Sequence, residues 1–208
     1  MNGWSYKYKY WQKIQALDGI TDVSIHRYED VTLPFDETLF QPFLESFLES
    51  TSEKMTLEEF AKGYTDSPEN YTSTVVVISK KDVETYNQKA KTPIDIDAFL
   101  AGTQCIIGSV NTPEQAAQMQ GKTITMKDKN GSALSLQVGS CALNGDISGL
   151  SFGQYWSLAG APEYILVSEA ALTQLTDTPA INTIAIQCDP KAESRLTNQI
   201  RSITQMYP

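Results

Sequence analysis

The sequence predicts a fold that mixes helices and strands, on three observations. The last quarter, Tyr164 to Tyr207, reads as strand, helix, strand, helix with almost no connecting loop, which predicts a compact α/β unit. The pattern turns β-rich from Ser73 and carries a hairpin signal at Asp128-Lys129-Asn130-Gly131. Between Asp36 and Gly63, apolar residues recur instead at helical spacing.

Taken in order, the first segment reads two ways. Tyr6-Lys7-Tyr8-Lys9-Tyr10 alternates like a strand, while Tyr6, Tyr10, Ile14 and Leu17 share one helical face, and the helix is preferred. Asp18-Gly19 stops that helix, with glycine taking the left-handed position after the last turn. Val23 and Ile25 then alternate in a strand running toward Tyr28.

Leu39, Phe40, Phe43, Leu44, Phe47 and Leu48 form the apolar stripe of the next helix, with Glu45 and Glu49 opposite. Pro42 suits only its first turn or a kink. Thr56 and Glu59 have capping-box spacing for a second short helix ending at Gly63. Such Phe/Leu stripes are usually core, although this one could also dock a partner helix or a lipid.

Thr74 to Ile78 is an apolar strand, Lys80 to Ala90 a polar helix, and Asp97 to Gly102 a helical turn closed by glycine. Gln104 to Val110 reads as a strand, and Lys122–Met126 and Leu134–Val138 flank the Asn-Gly turn as a hairpin. Asn144 to Ala161 is a Gly/Ser-rich loop containing Tyr155 and Trp156. In the last quarter, Asp189-Pro190 begins a helix whose stripe is Ala192, Leu196, Ile200 and Ile203.

Composition narrows the function classes. A net charge of -9 and scattered Lys and Arg argue against a nucleic-acid partner, since phosphate binding needs a basic stripe. No apolar run approaches the ~20 residues that cross a bilayer. Cys105, Cys141 and Cys188 lie in strand-like stretches without CxxC spacing, so neither a disulfide scaffold nor a zinc site is expected. His26 is the sole histidine and reads as a strand residue with a satisfied hydrogen bond. Asp128 to Gly131 resembles part of a calcium loop, but Met126 stands at the first ligand position, so it reads as a turn. Gly145 to Gly149 is not a nucleophile elbow, and Glu58 and Glu59 read as solvated helix charges. No catalytic residue, cofactor or metal is expected.

The order of these elements resembles the extracytoplasmic domain of the FtsX-like, or MacB-like, permease family of bacterial ABC transporters. The residues that carry the resemblance are Leu17-Asp18-Gly19-Ile20-Thr21-Asp22-Val23, the strand Val75–Ile78 with the helix after it, and Leu100-Ala101-Gly102 leading to Ile106-Ile107-Gly108. They continue with the hairpin from Gly121 through Val138-Gly139 and with Ile184 to Asp189-Pro190 before the final helix. Lys122 departs from the family's usual acidic residue, and the 36–63 insertion is not a general feature of it.

The resemblance implies an α+β fold in two parts. Residues 1–30 and 160–208 would form a membrane-proximal, porter-like α/β layer, and 31–159 a distal β-rich subdomain carrying the 36–63 insertion. It implies a non-enzymatic domain on the outer face of the bacterial cytoplasmic membrane, joined to transmembrane helices. Its partners would be a cytoplasmic ABC ATPase, a second permease unit, and a peptide, lipid, lipoprotein or cell-wall hydrolase. Candidate partner contacts are Phe40, Phe43, Leu44, Phe47, Tyr155 and Trp156. The alternatives are a stand-alone soluble binding module, whose native chain would begin and end near Met1 and Pro208, and a thiol-dependent enzyme.

Overall fold

The structure, a computed structural model, describes residues 13–50, 54–68, 71–110, 112–143, 146–147, 150, 162 and 164–205. Its elements run β1 (Ile20–Val31), α1 (Glu37–Ser50), α2 (Leu57–Asp66), β2 (Ser73–Val77), α3 (Lys80–Asn87), α4 (Ile96–Leu100) and β3 (Gln104–Val110). They continue with α5 (Pro113–Met119), β4 (Thr123–Lys127), β5 (Ala133–Leu143), β6 (Tyr164–Val167), α6 (Glu169–Leu175), β7 (Ala180–Cys188) and α7 (Glu193–Gln205). The fold is α+β. The strands form one mixed sheet in the order β4-β5-β3-β6-β2-β1-β7.

Two compact units divide the chain at 25/26 and 183/184. In the unit made of the chain ends, Gly19 adopts φ +91° and so turns the chain into β1. A Cβ at Gly19 would lie 2.7 Å from the Ala192 Cβ, so the turn packs directly on the start of α7. The Asp189 N–H donates to the Gly19 carbonyl at 2.9 Å, and the Arg195 guanidinium donates to the Asp18 carbonyl at 2.9 Å. Asp189 Oδ1 accepts from the Lys191 N–H, and a turn follows, so α7 starts later than an aspartate cap alone would place it. Ile14 and Leu196 are buried. Tyr6 and Tyr10, the start of the expected first helix, lie outside the described residues.

The larger unit has an apolar layer on each face of the sheet, because its central strands alternate apolar residues to both sides. Val75, Val77, Cys105, Ile107, Ile165 and Val167 face one layer, which α1, α2, α5 and α6 cover. Val76, Ile106 and Leu166 face the other, under Val83 and Tyr86 of α3 and Phe99 of α4. This is why β2, β3 and β6 read as continuous apolar runs. Tyr86 fills the second layer without leaving its hydroxyl dry: Tyr86 Oη lies 2.6 Å from Ser140 Oγ, and Ser140 Oγ donates to the Thr92 carbonyl at 2.6 Å.

Three expectations change. The last quarter is not one compact unit, since β6 sits between β3 and β2 while β7 pairs beyond β1. Strand neighbours in a sheet are chosen by which faces must be buried, which a local pattern does not encode. The second helix of the insertion runs past Gly63 to Asp66. There glycine serves close packing rather than a stop: a Cβ would lie 2.8 Å from Tyr71 Oη. Pro42 lies in the second turn of a helix that begins at Glu37, and is buried there. The capping box at Thr56 and Glu59 forms as its spacing predicts.

The sheet also curls back on itself. Thr32 and Lys127 form an isolated antiparallel bridge, exchanging N–H to carbonyl bonds of 2.9 Å in each direction. The end of β1 thereby meets β4, the strand at the opposite edge.

Candidate functional site

The residues just after that bridge build the most site-like feature among the described residues. Leu33 is clamped by Tyr64, whose hydroxyl accepts from the Leu33 N–H at 3.1 Å and donates to its carbonyl. Burial pushes the Tyr64 phenol up to about 12. Phe35 stacks on Phe40 at 5.5 Å, and Asp36 caps α1, its Oδ1 accepting from the Leu39 N–H at 3.1 Å. The segment 33–36 is therefore a fixed wall, not a loose loop.

The facing wall is the start of β4. Gly121, at φ +82°, donates to the Val138 carbonyl at 2.8 Å, and the Val138 N–H donates to the Lys122 carbonyl at 2.8 Å. Between the walls lies a cleft of about 200 Å³ lined by Leu33 to Asp36 on one side and Lys122 to Thr125 on the other. Its floor comes from Leu39, Met119, Ile124 and Val138, all buried. Lys122 and the Asp36 carboxylate, already used as a helix cap, line it beside Thr123 and Thr125, and the Thr125 hydroxyl pairs with Ser135 Oγ at 2.8 Å. That set can hold a ligand by hydrogen bonds and one positive charge.

Of the residues singled out in the sequence, Phe40, Phe43 and Leu44 do not line the cleft. Phe40, Phe43 and Leu44 are buried among the apolar residues that α1 lays on the sheet, as a helical Phe/Leu stripe ordinarily is. Phe47 lies in α1, with its side chain outside the described residues, as are Tyr155 and Trp156. Asp128 is spent on its turn, Oδ1 accepting from the N–H groups of Asn130 at 2.9 Å and Ser132 at 2.7 Å. No three His, Cys, Asp or Glu side chains converge as metal ligands among the described residues.

Cys105 and Cys141 are buried on the same face of neighbouring strands. Burial pushes both thiols up, Cys141 to about 12 and Cys105 further still. At neutral pH both are thiols, not nucleophilic thiolates. Native protein treated with an alkylating reagent should keep both unmodified, as read by peptide mass spectrometry. Rapid loss of either thiol, or of the half-buried Cys188, would favour the thiol-enzyme reading.

His26 differs from its expected satisfied state. It is buried, and its Nε2 has no hydrogen-bond partner among the described residues. Burial holds its imidazole below the usual 6.5, and the charge of Asp82 offsets part of that effect. As pH falls, the unfolded chain takes up the proton first. The stability tied to neutral His26 is therefore complete above about pH 6.5 and is lost as pH drops from there toward the lower folded value. The urea midpoint of the native chain should fall more between about pH 7 and about pH 5 than that of His26→Gln.

Glu29 escaped the sequence reading altogether. Its carboxylate is buried in β1, with Oε1 3.8 Å from Lys129 Nζ. Burial raises its proton affinity and Lys129 counters part of the rise. Glu29 shares the parity of Val23, Ile25 and buried Val31, so the alternation of β1 does place it on the inward face.

No family model and no curated protein matches the chain. Among solved structures it is similar to the extracellular domain of a noncanonic ABC-type transporter, YknZ, from Gram-positive bacteria. The two share 13% identity over 90% of this chain and 76% of that one, with a TM-score of 0.44.

Proposed function

We propose that the chain is a non-catalytic extracytoplasmic domain of a bacterial ABC transporter permease of the FtsX-like or MacB-like kind. It passes conformational change between a cytoplasmic ATPase and an event outside the membrane. That event is export or sensing of a peptide, lipid or lipoprotein, or control of a cell-wall hydrolase. The observation that supports this reading is the run of family-like motifs at the joints of the fold. Gly19 turns into β1, Gly102 turns into β3, Gly121 precedes the β4–β5 hairpin, and Asp189-Pro190 separates β7 from α7.

In this reading the two chain ends continue toward transmembrane helices and form the membrane-proximal layer, and a second permease unit completes the transporter. Tyr155 and Trp156 are the first partner contacts to substitute. Phe40, Phe43 and Leu44 would reach a partner only if α1 moved.

The test is the coding sequence on either side, combined with a topology reporter fused to the full-length protein. Apolar stretches of ~20 residues flanking the domain, with the domain itself reporting an outward location, are the expected result. A cytoplasmic location would overturn the reading.

A further inference from the structure

The hydrogen-bonding parity of β4 gives its outer edge a specific use. Lys122 O accepts from Val138 N, and Ile124 and Met126 follow in register opposite Leu136 and Leu134, so these even-numbered residues bond to β5. Thr123, Thr125 and Lys127 therefore turn their N–H and carbonyl groups away from β5. Lys127 uses both, on Thr32. Beyond that bridge the facing chain cannot continue as a strand, because Pro34 lacks an N–H and Asp36 is committed to capping α1. Thr123 and Thr125 thus face the cleft, and among the described residues their outward N–H and carbonyl groups have no backbone partner.

An open strand edge is ordinarily blunted, by charge, by proline or by a bulge. Here the edge carries Lys122 and Lys127 at its ends, and between them it borders an apolar floor. Main-chain groups for affinity beside a pocket for alternate side chains are the two parts of recognition by strand addition. Charge adds a preference. The chain carries -9 overall, yet Lys122 at the cleft and Lys127 on the same strand have no ion pair among the described residues. The one carboxylate in the cleft wall, Asp36, is already hydrogen-bonded to its helix.

We propose that the outer edge of β4 at Thr123 and Thr125 receives an extended peptide of a partner protein as an added strand. An apolar side chain of that peptide enters the cleft, and an acidic one meets Lys122. The site stands whether or not the chain belongs to a transporter.

The test uses the full chain, a displayed library of random peptides of about ten residues, and hydrogen exchange. In the free protein the Thr123 and Thr125 amides should exchange fast, while those of Ile124 and Met126 are protected by β5. Selected peptides should alternate apolar residues and carry Asp or Glu. A synthetic copy of the best should slow exchange at Thr123 and Thr125 by about tenfold or more. Thr125→Pro removes an outward N–H without touching the β5 ladder, and should weaken binding about tenfold. Its protected Ile124 and Met126 amides would show that the sheet survives. Methylating alternate backbone nitrogens of the peptide should have the same effect on the unaltered protein, and Lys122→Glu should select against acidic peptides. Slow exchange at Thr123 and Thr125 in the free chain would overturn the proposal, since the edge would already be covered by the chain itself or by a second copy. Absence of enrichment over the Thr125→Pro protein, or binding indifferent to both backbone changes, would overturn it too.

Discussion

Phe40→Ala is expected to lower the unfolding free energy by about 3–5 kcal/mol. Phe40 is fully buried, with its ring edge-on to Tyr64 at 4.7 Å, stacked on Phe35 at 5.5 Å and tilted against Phe60 at 6.2 Å. Truncation removes the apolar area and leaves a cavity that aromatic neighbours fill poorly, since their rings are held by contacts with one another. Tyr64 would lose the ring that positions its hydroxyl on Leu33, so the wall of the cleft should loosen as well. Urea unfolding checks this, with an unchanged dependence on denaturant marking a true stability effect. The same experiment separates core from contact surface. A variant that keeps its stability within about 0.5 kcal/mol but loses binding to a partner would return Phe40 to the surface role its stripe could also suggest.

Gly102→Ala should cost about 2–4 kcal/mol, from two sources that a control can separate. Gly102 ends α4 in a left-handed turn, at φ +75°. Its N–H donates to the Phe99 carbonyl at 3.0 Å and the Thr103 N–H to the Ala98 carbonyl at 3.1 Å, the paired bonds of a glycine helix stop. An added Cβ meets both a strained backbone and the first turn of α6, at 2.8 Å from the Ala171 nitrogen. Backbone cannot move aside as a side-chain tip can. Gly131→Ala has the same sign of φ, +85°, with nothing within 4 Å of the added carbon. It should cost only about 1 kcal/mol, the conformational part alone. Equal costs at both sites would mean that α6 yields and the close approach is not a constraint.

Much of the secondary structure was legible because its signals are local. β3 matches its expected span, Tyr164 opens the strand–helix pair expected there, and the Asn-Gly turn between β4 and β5 forms with Gly131 at positive φ. α5 was missed, although Thr112 and Gln115 have capping-box spacing with Pro113 at the first helical position. Pro and two Gln in a seven-residue segment leave little apolar periodicity to find, and only Met119 is buried. What could not be read was adjacency. The insertion of β6 between β3 and β2 breaks the apparent unity of the last quarter. The cleft depends on it too, because it exists only where Thr32 meets Lys127 and the two chains then part.

The strand order also governs how fast this chain can fold. Only β4 and β5 pair across a short turn; β1 finds β2 beyond the two helices of the insertion, and β2 finds β6 only after most of the larger unit has been made. A pairing scheme dominated by residues far apart in sequence must spend loop entropy before its contacts compensate, so refolding in milliseconds to seconds is expected rather than the microseconds of a helical bundle. The hairpin at Asp128 can form early from neighbours alone. The join between Thr32 and Lys127 pairs residues far apart in sequence and cannot form from neighbours alone.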